Sequence, residues 1–270
     1  MKHPFRFLVP LFLLFFTTLS AHDLDMKAAK GDKIAQYTLG CYCYTGELTY
    51  KGYIFETQTP NFEKAFEWFK KSADQGYVPA EFSLGLCYAL GNGVEKNTVE
   101  AARCYRMAAD SGYVQAQCNL GQCYFFGDGV QQDKKEAVRW YRMAADVGST
   151  DAMCNLALCY YFGDGIEENP SATFYLYKQA ANRGNVQGQY NLGECYLHSI
   201  GTKYDEQEGA KWIQKAANRD FVDAQYQLGL LYYNGIGVDK SKKFAKKWLE
   251  KAAQKGHAGA SKKLKEFFSK

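Results

Sequence analysis

The sequence predicts an all-α solenoid of helix-turn-helix repeats. Three observations predict it: a block that recurs every 36 residues, apolar and small residues spaced by three and four within each half of the repeat, and glycines between the halves.

The recurring block reads AQCNLGQCYFFGDGV from Ala116 and AMCNLALCYYFGDGI from Ala152. Related blocks start at Ala80, Gly188 and Ala224, so successive starts from 80 to 224 are 36 residues apart, and Ala260 continues the series. A first copy starts at Ala35 (AQYTLGCYCY), 45 residues before Ala80, and so carries nine extra residues. These fall between Glu47 and Pro60, which reads as a polar and aromatic loop. With the first residue of each copy as slot 0, slot 24 holds Trp140, Trp212 and Trp248, and Trp68 once the insertion is subtracted. Slot 28 holds Ala108, Ala144, Ala180, Ala216 and Ala252.

Each half has helical spacing. A Gly-x-Gly pair separates the halves (Gly91/Gly93, Gly127/Gly129, Gly163/Gly165, Gly235/Gly237), and a single glycine follows the second half (Gly76, Gly112, Gly148, Gly184, Gly256). Glycine accepts the left-handed conformation that ends a helix. Small residues at slots 0, 5, 21 and 28 let helices approach, and the aromatics of slots 8 and 24 are expected to fill the gaps. One hairpin cannot bury its apolar faces alone, but a stack can.

The pattern A-x-x-x-L-G-x-x-Y-x-x-G-x-G-V, followed by A-x-x-W/Y-x-x-x-A-A-x-x-G, resembles the Sel-one-like repeat family, a relative of the tetratricopeptide repeats. The resemblance covers six copies: 35–79, 80–115, 116–151, 152–187, 188–223 and 224–259. It implies a right-handed α/α superhelical solenoid. Departures are local: Ser199 replaces a turn glycine, Gly209 the slot-21 alanine and Ala157 the slot-5 glycine. Residues 21–34, with MKAAKG like the tail of a second helix, read as an N-terminal cap, and 260–270 as a C-terminal capping helix.

Residues 1–20 read as a signal peptide. Lys2 and Arg6 give a basic start, Phe7 to Phe16 is an apolar run too short to span a bilayer, and small residues follow it. Cleavage after Ser20 or Ala21 is expected, with export to the periplasm or beyond the cell. No later stretch has the length of a membrane helix. The net charge of +4 is too mild to call for nucleic acid as a partner. The last 32 residues, from Asp239, hold eleven lysines against three acids and read as a solvated end cap.

Nine cysteines in an exported chain raise a disulfide framework. The cysteine-rich secreted branch of the family pairs a cysteine ending each second helix with one eight residues later. Here Ala73, Ala109 and Ala145 occupy the first of those places. Instead Cys87, Cys123, Cys159 and Cys195 share slot 7, and Cys118 and Cys154 share slot 2. Same-slot residues sit on helices about 8–10 Å apart, beyond the ~7 Å Cα limit of a disulfide. The ladder reads as small buried thiols. Cys104, which stands in the tryptophan slot, is the exception. It is equidistant from a turn with Cys87 on one side and Cys123 on the other, so a bridge to either stays open beside plain packing.

Candidate catalytic and metal-binding groups are few. His22, His198 and His257 fall at unrelated slots, and no Gly-x-Ser-x-Gly or Ser-x-x-Lys occurs. The sequence therefore points to no catalytic residue, metal or cofactor. Some cysteine-rich relatives are described as penicillin-binding or weakly β-lactamase-like, and a cell-wall hydrolase is the alternative the resemblance carries. The leading expectation is an exported adaptor for a protein or peptide. By the resemblance, first helices line a concave surface. Slot 3 (Asn119, Asn155, Asn191, Gln227) then forms an amide ladder, and slot 9 contributes Phe125, Tyr161 and Tyr233. Amides pair with a peptide backbone in both senses, and aromatics give contact area at low entropic cost.

Overall fold

The computed structural model describes residues 21–50 and 53–268. The signal-peptide assignment, residues 1–20, lies outside them. The described residues fall into two compact units, one ending at Met107 and the other starting at Ala108. Both are made of tandem helix-turn-helix repeats, and the described residues are all-α apart from one small hairpin.

The first unit contains α1 (Ala21–Ala29), α2 (Lys33–Thr45), α3 (Phe62–Ala73), α4 (Val78–Leu90) and most of α5 (Thr98–Asp110). The insertion expected as a loop contains a hairpin, β1 (Glu47–Tyr50) and β2 (Tyr53–Thr57), paired antiparallel with an irregularity between Leu48 and Thr49. Its residues explain the difference: Leu-Thr-Tyr and Tyr-Ile-Phe favour a pleated surface. Leu48 is buried with Leu24, Leu39 and Tyr42. Two backbone bonds, Gln58 N–H to Gly46 O and Asn61 N–H to Cys43 O, tie the insertion to α2.

The second unit contains α6 (Val114–Phe126), α7 (Lys134–Asp146), α8 (Thr150–Phe162), α9 (Pro170–Asn182), α10 (Val186–His198), α11 (Glu206–Asn218), α12 (Val222–Asn234), α13 (Lys242–Gln254) and α14 (Ala258–Phe268). The eight helices from α6 to α13 are 13 residues long, because the same residues start and stop each one. At slot 17 stand Asp133, Asn169, Asp205 and Ser241, and each side chain accepts from backbone N–H groups in the first turn of the second helix it begins. Asn61 and Asn97 do the same in the first unit. Each such cap is worth about 1 kcal/mol.

First helices end on a left-handed residue. Gly163 (φ 71°) donates its N–H to the Cys159 carbonyl, and Ser199 (φ 57°) makes the same bond to Cys195 without glycine's freedom. The second turn glycine has another reason. A Cβ on Gly165 would run into the Lys134 carbonyl at the start of α7, so this position is where one repeat's turn meets the preceding repeat's second helix.

Gap filling differs from the expectation in one respect. Slot 25, next to the tryptophan slot, packs against the slot-5 glycine. A Cβ added at Gly121 would lie 2.6 Å from Tyr141, one at Gly193 2.6 Å from Ile213 and one at Gly229 2.7 Å from Leu249. Gly40 and Phe69 repeat the arrangement in the first unit. The tryptophans vary more: Trp140 is buried while Trp212 is only half-buried. A glycine opposite a large side chain brings the two helices of a hairpin close, and that contact needs the residue aimed straight at the glycine.

Neighbouring repeats are joined by a second ladder at slot 1. Gln117, Gln189 and Gln225 are buried, and each Nε2 donates to the carbonyl eight residues earlier, at Ala109, Ala181 and Ala217. In the first unit Gln36 donates to Ala28 of α1 in the same way, so α1 sits where a preceding second helix would. Arg183 reaches the Gly148 carbonyl, and Lys255 the Asp220 carbonyl, from one repeat to the next. At the C-terminal end, Phe267 of α14 stacks on Tyr233 at 3.6 Å, and Ala260 is fully buried.

Candidate partner-binding face

The first helices of the second unit, α6, α8, α10 and α12, carry the amide ladder. Asn119, Asn155, Asn191 and Gln227 are all half-buried. None of them is the buried amide that links repeats, since the slot-1 glutamines do that. One does reach a neighbour: the Asn155 amide donates to the Cys118 sulfur at 3.5 Å, a weak contact between successive first helices.

The slot-9 aromatics separate. Tyr161 is 42% exposed. Phe125 is half-buried, with the Lys134 ammonium 5.2 Å over its ring. The face of Tyr233 is occupied by Phe267, so this ring serves the C-terminal cap. One slot further on, Phe126 (65% exposed) and Phe162 (61% exposed) face solvent and pack edge-on against Phe125 and Tyr161. The result on α6 and α8 is a row of exposed rings beside half-buried amides.

Two of the expected residues, Tyr161 and Asn191, are brought together in a cleft of about 590 Å³ between α8, α9 and α10. Phe162 and Leu158 of α8, Thr173 and Tyr177 of α9, and Tyr190, Glu194 and His198 of α10 complete most of its lining. Thr173 is fully buried and its hydroxyl lies within hydrogen-bond reach of the Asn169 and Ala157 carbonyls, which leaves it no proton to offer the cleft.

The carboxylate of Glu194 is the charged group of the lining. Burial pushes its pKa up, and His198 pulls it partly back. His198 Nε2 stands 3.5 Å from Oε2, and Oε1 is buried with no hydrogen-bond partner. A buried carboxylate oxygen without a donor costs about 1–3 kcal/mol or more. Tyr190 beside it has its pKa raised by burial and then by the Glu194 and Asp223 charges. Sequence reasoning passed over Glu194 because glutamate at one helical slot is ordinary. The signal was the slot itself: slot 6 is Leu86, Leu158 and Leu230 in other copies.

All nine cysteines are free thiols, eight of them buried. Burial raises the pKa of Cys87 and Cys195 to about 12 and of Cys123 and Cys159 to about 11. Such thiols are poor nucleophiles and poor ligands. Cys104 is buried in the same apolar cluster as Cys87. Standing where four of the other five copies have tryptophan, it borders a cavity of about 350 Å³ shared with Glu81, Leu84 and Arg103. Among the described residues no cluster of three or more histidine, cysteine or acidic side chains is placed to hold a metal, and no helix is long and apolar enough to cross a membrane.

Tandem helical hairpins that carry half-buried amides and exposed rings on one set of helices define a repeat scaffold, a class that generally mediates protein interactions. The chain belongs to the Sel1 repeat family, which matches residues 33–77, 78–113, 114–149, 150–185, 186–221 and 222–257. These segments begin two residues before the frame used above. The chain is similar to the structure of c5321, a protective antigen of uropathogenic Escherichia coli strains displaying an SLR fold, at 34% identity and a TM-score of 0.79, covering 91% of this chain and 50% of that one. It is also similar to a Sel1 repeat protein from Oxalobacter formigenes, at 31% identity and a TM-score of 0.76, covering 86% and 90%. A curated relative, the chitin synthase regulator SKT5 of Saccharomyces cerevisiae, is 32% identical over 93 residues, which is 33% of this chain and 12% of the regulator. The chain thus spans a small part of that regulator and half of the E. coli antigen.

Proposed function

We propose that the chain is an exported scaffold that holds a protein or peptide partner against the first-helix face of its repeats. The observation that carries the reading is the register of Asn119, Asn155 and Asn191. They recur at 36-residue intervals, stay half-exposed, and stand beside the exposed rings of Phe126, Tyr161 and Phe162. Side-chain amides at a regular pitch can donate to and accept from an extended backbone, and rigid rings add apolar contact. Gln117, Gln189 and Gln225 supply buried links to the preceding second helix, and the asparagines' share of bonding between repeats is the weak Asn155–Cys118 contact. Export rests on the N-terminal twenty residues. Within the family the scaffold role is general, and the partner is this chain's own.

The test is the double variant Asn155→Ala/Asn191→Ala. Partner capture from the exported fraction should fall at least tenfold while the melting temperature stays within about 2 °C. That shift corresponds to less than 1 kcal/mol in a unit of this size. A loss of stability of about 1–3 kcal/mol, as for orphaned buried partners, would make the asparagines braces and end the reading.

A further inference from the structure

We propose that the cleft between α8 and α10 receives a basic side chain, arginine above all, from the partner segment, with Glu194 as its counter-charge. This rests on the scaffold reading above and adds the chemistry of one partner residue.

The fifth copy departs from the other five at two positions one helical turn apart. At slot 6, Glu194 stands where the others have Cys41, Leu86, Gln122, Leu158 and Leu230. At slot 10, His198 stands where the others have Thr45, Leu90, Phe126, Phe162 and Asn234. A carboxylate has therefore been placed on a mostly apolar row, and the fold does not satisfy it. Oε1 is buried without a partner, and Oε2 has only the His198 nitrogen at 3.5 Å, beyond the 2.7–3.2 Å range of a good hydrogen bond. Among the described residues no lysine or arginine lines the cleft, so within the lining the carboxylate is opposed only weakly, by His198 at 3.5 Å.

The walls fit the rest of such a ligand. Tyr161 and Phe162 stand at an exposed rim, and Tyr177 and Tyr190 are more deeply placed. An apolar stem can lie along these rings, and a cation gains from their faces. Arginine is preferred to lysine because its planar fork can donate to both carboxylate oxygens at once and stacks on rings. Asn191, half-buried in the same lining, is left to take the backbone of the segment that carries the arginine. Burial that raises the Glu194 pKa in the free protein would be offset by the incoming cation, which makes binding dependent on charge as well as on shape.

The experiment is an NMR titration of the full mature chain with Nα-acetyl-arginine amide, and with Nα-acetyl-citrulline amide as a neutral probe of nearly the same shape. Arginine amide should give saturable shifts confined to the backbone of Tyr190 to His198, the Asn191 side-chain amide and Tyr161 with Phe162. Citrulline amide should bind at least tenfold more weakly. Glu194→Gln should weaken arginine amide binding at least tenfold without loss of melting temperature, since Gln122 occupies the same slot in the third copy. Tyr161→Ala should weaken it too, which keeps a readout that leaves the carboxylate untouched. Equal binding of the two probes, shifts centred elsewhere, or unchanged affinity in Glu194→Gln would overturn the proposal. Partner capture decides the two readings separately. If capture depends on Asn155 and Asn191 but arginine amide does not bind, the scaffold stands and this cleft proposal falls. If arginine amide binds as expected but capture ignores the asparagines, the scaffold reading falls instead.

Discussion

Two glycines of one turn separate two physical causes that the sequence pattern alone merges. Gly163 and Gly165 have nearly the same backbone conformation, with φ of 71° and 73°. An alanine at either position must adopt the left-handed region, at about 1–2 kcal/mol. Their surroundings differ. A Cβ at Gly163 would meet the flexible Glu168 side chain at 3.1 Å, which can move away. A Cβ at Gly165 would meet the backbone of Lys134 at the first turn of α7, and backbone there cannot yield without shifting a helix. Overpacking of that kind adds about 1–3 kcal/mol. At about 2–4 °C per kcal/mol for a unit of this size, Gly163→Ala should lower the melting temperature by about 2–8 °C. Gly165→Ala should lower it clearly further. Urea midpoints for the two variants give the comparison without extrapolation. Equal losses, or a smaller loss at Gly165, would refute the claim that the second glycine exists for contact between repeats.

Other outcomes follow from the same structure. Burial raises the thiol pKa values above the ordinary range, to about 12 for Cys87, Cys154 and Cys195. A raised folded pKa gives stability that is complete below the unfolded value and is lost as pH rises through the folded one. Unfolding midpoints should therefore fall between pH 9 and 11, by up to about 1.4 kcal/mol per thiol per pH unit, and a flat profile would contradict the burial. Non-reducing peptide mapping of the exported protein decides whether Cys104 is bridged to Cys87 or Cys123; a free Cys104 thiol there would end the bridge and leave plain packing. N-terminal sequencing from the native host should read from Ala21 or His22, and an intact Met1 on membrane-bound protein would refute export. Purified mature chain should not turn over nitrocefin; turnover abolished by one point substitution would establish the hydrolase alternative.

Much of the fold is legible in the sequence because each copy must meet the same geometric demands. The alanines of slots 0 and 28 recur at buried positions where a larger side chain has no room, and the turn glycines recur where the backbone is left-handed. The slot-25 partner of the slot-5 glycine was harder to see, since Phe69, Tyr141, Ile213 and Leu249 share size and aim rather than chemical type. The slot-1 glutamines were hidden for the opposite reason: a polar residue on a helix is taken for a solvated one until its Nε2 is seen against a buried carbonyl. The hairpin at 47–57 escaped because nine inserted residues have no second copy to compare. Of the candidate face, Asn155, Asn191 and Tyr161 could be named from the repeat. The cleft could not, because it depends on how closely α8 and α10 approach around Thr173 and Tyr177. Tyr233 fits the same pattern yet is covered by Phe267, a residue beyond the last copy.

The most direct test of partner binding through the first-helix face is site-specific photo-crosslinking in the native compartment. A benzophenone side chain would be placed at Phe125 or Tyr161 on first helices, and at Met143 or Tyr175, which are exposed on the second helices α7 and α9. The account predicts that Phe125 and Tyr161 capture one and the same protein, and that Met143 and Tyr175 do not capture it. Capture of that protein from Met143 and Tyr175 with none from Phe125 and Tyr161 would place the interface on the opposite helices and contradict the account.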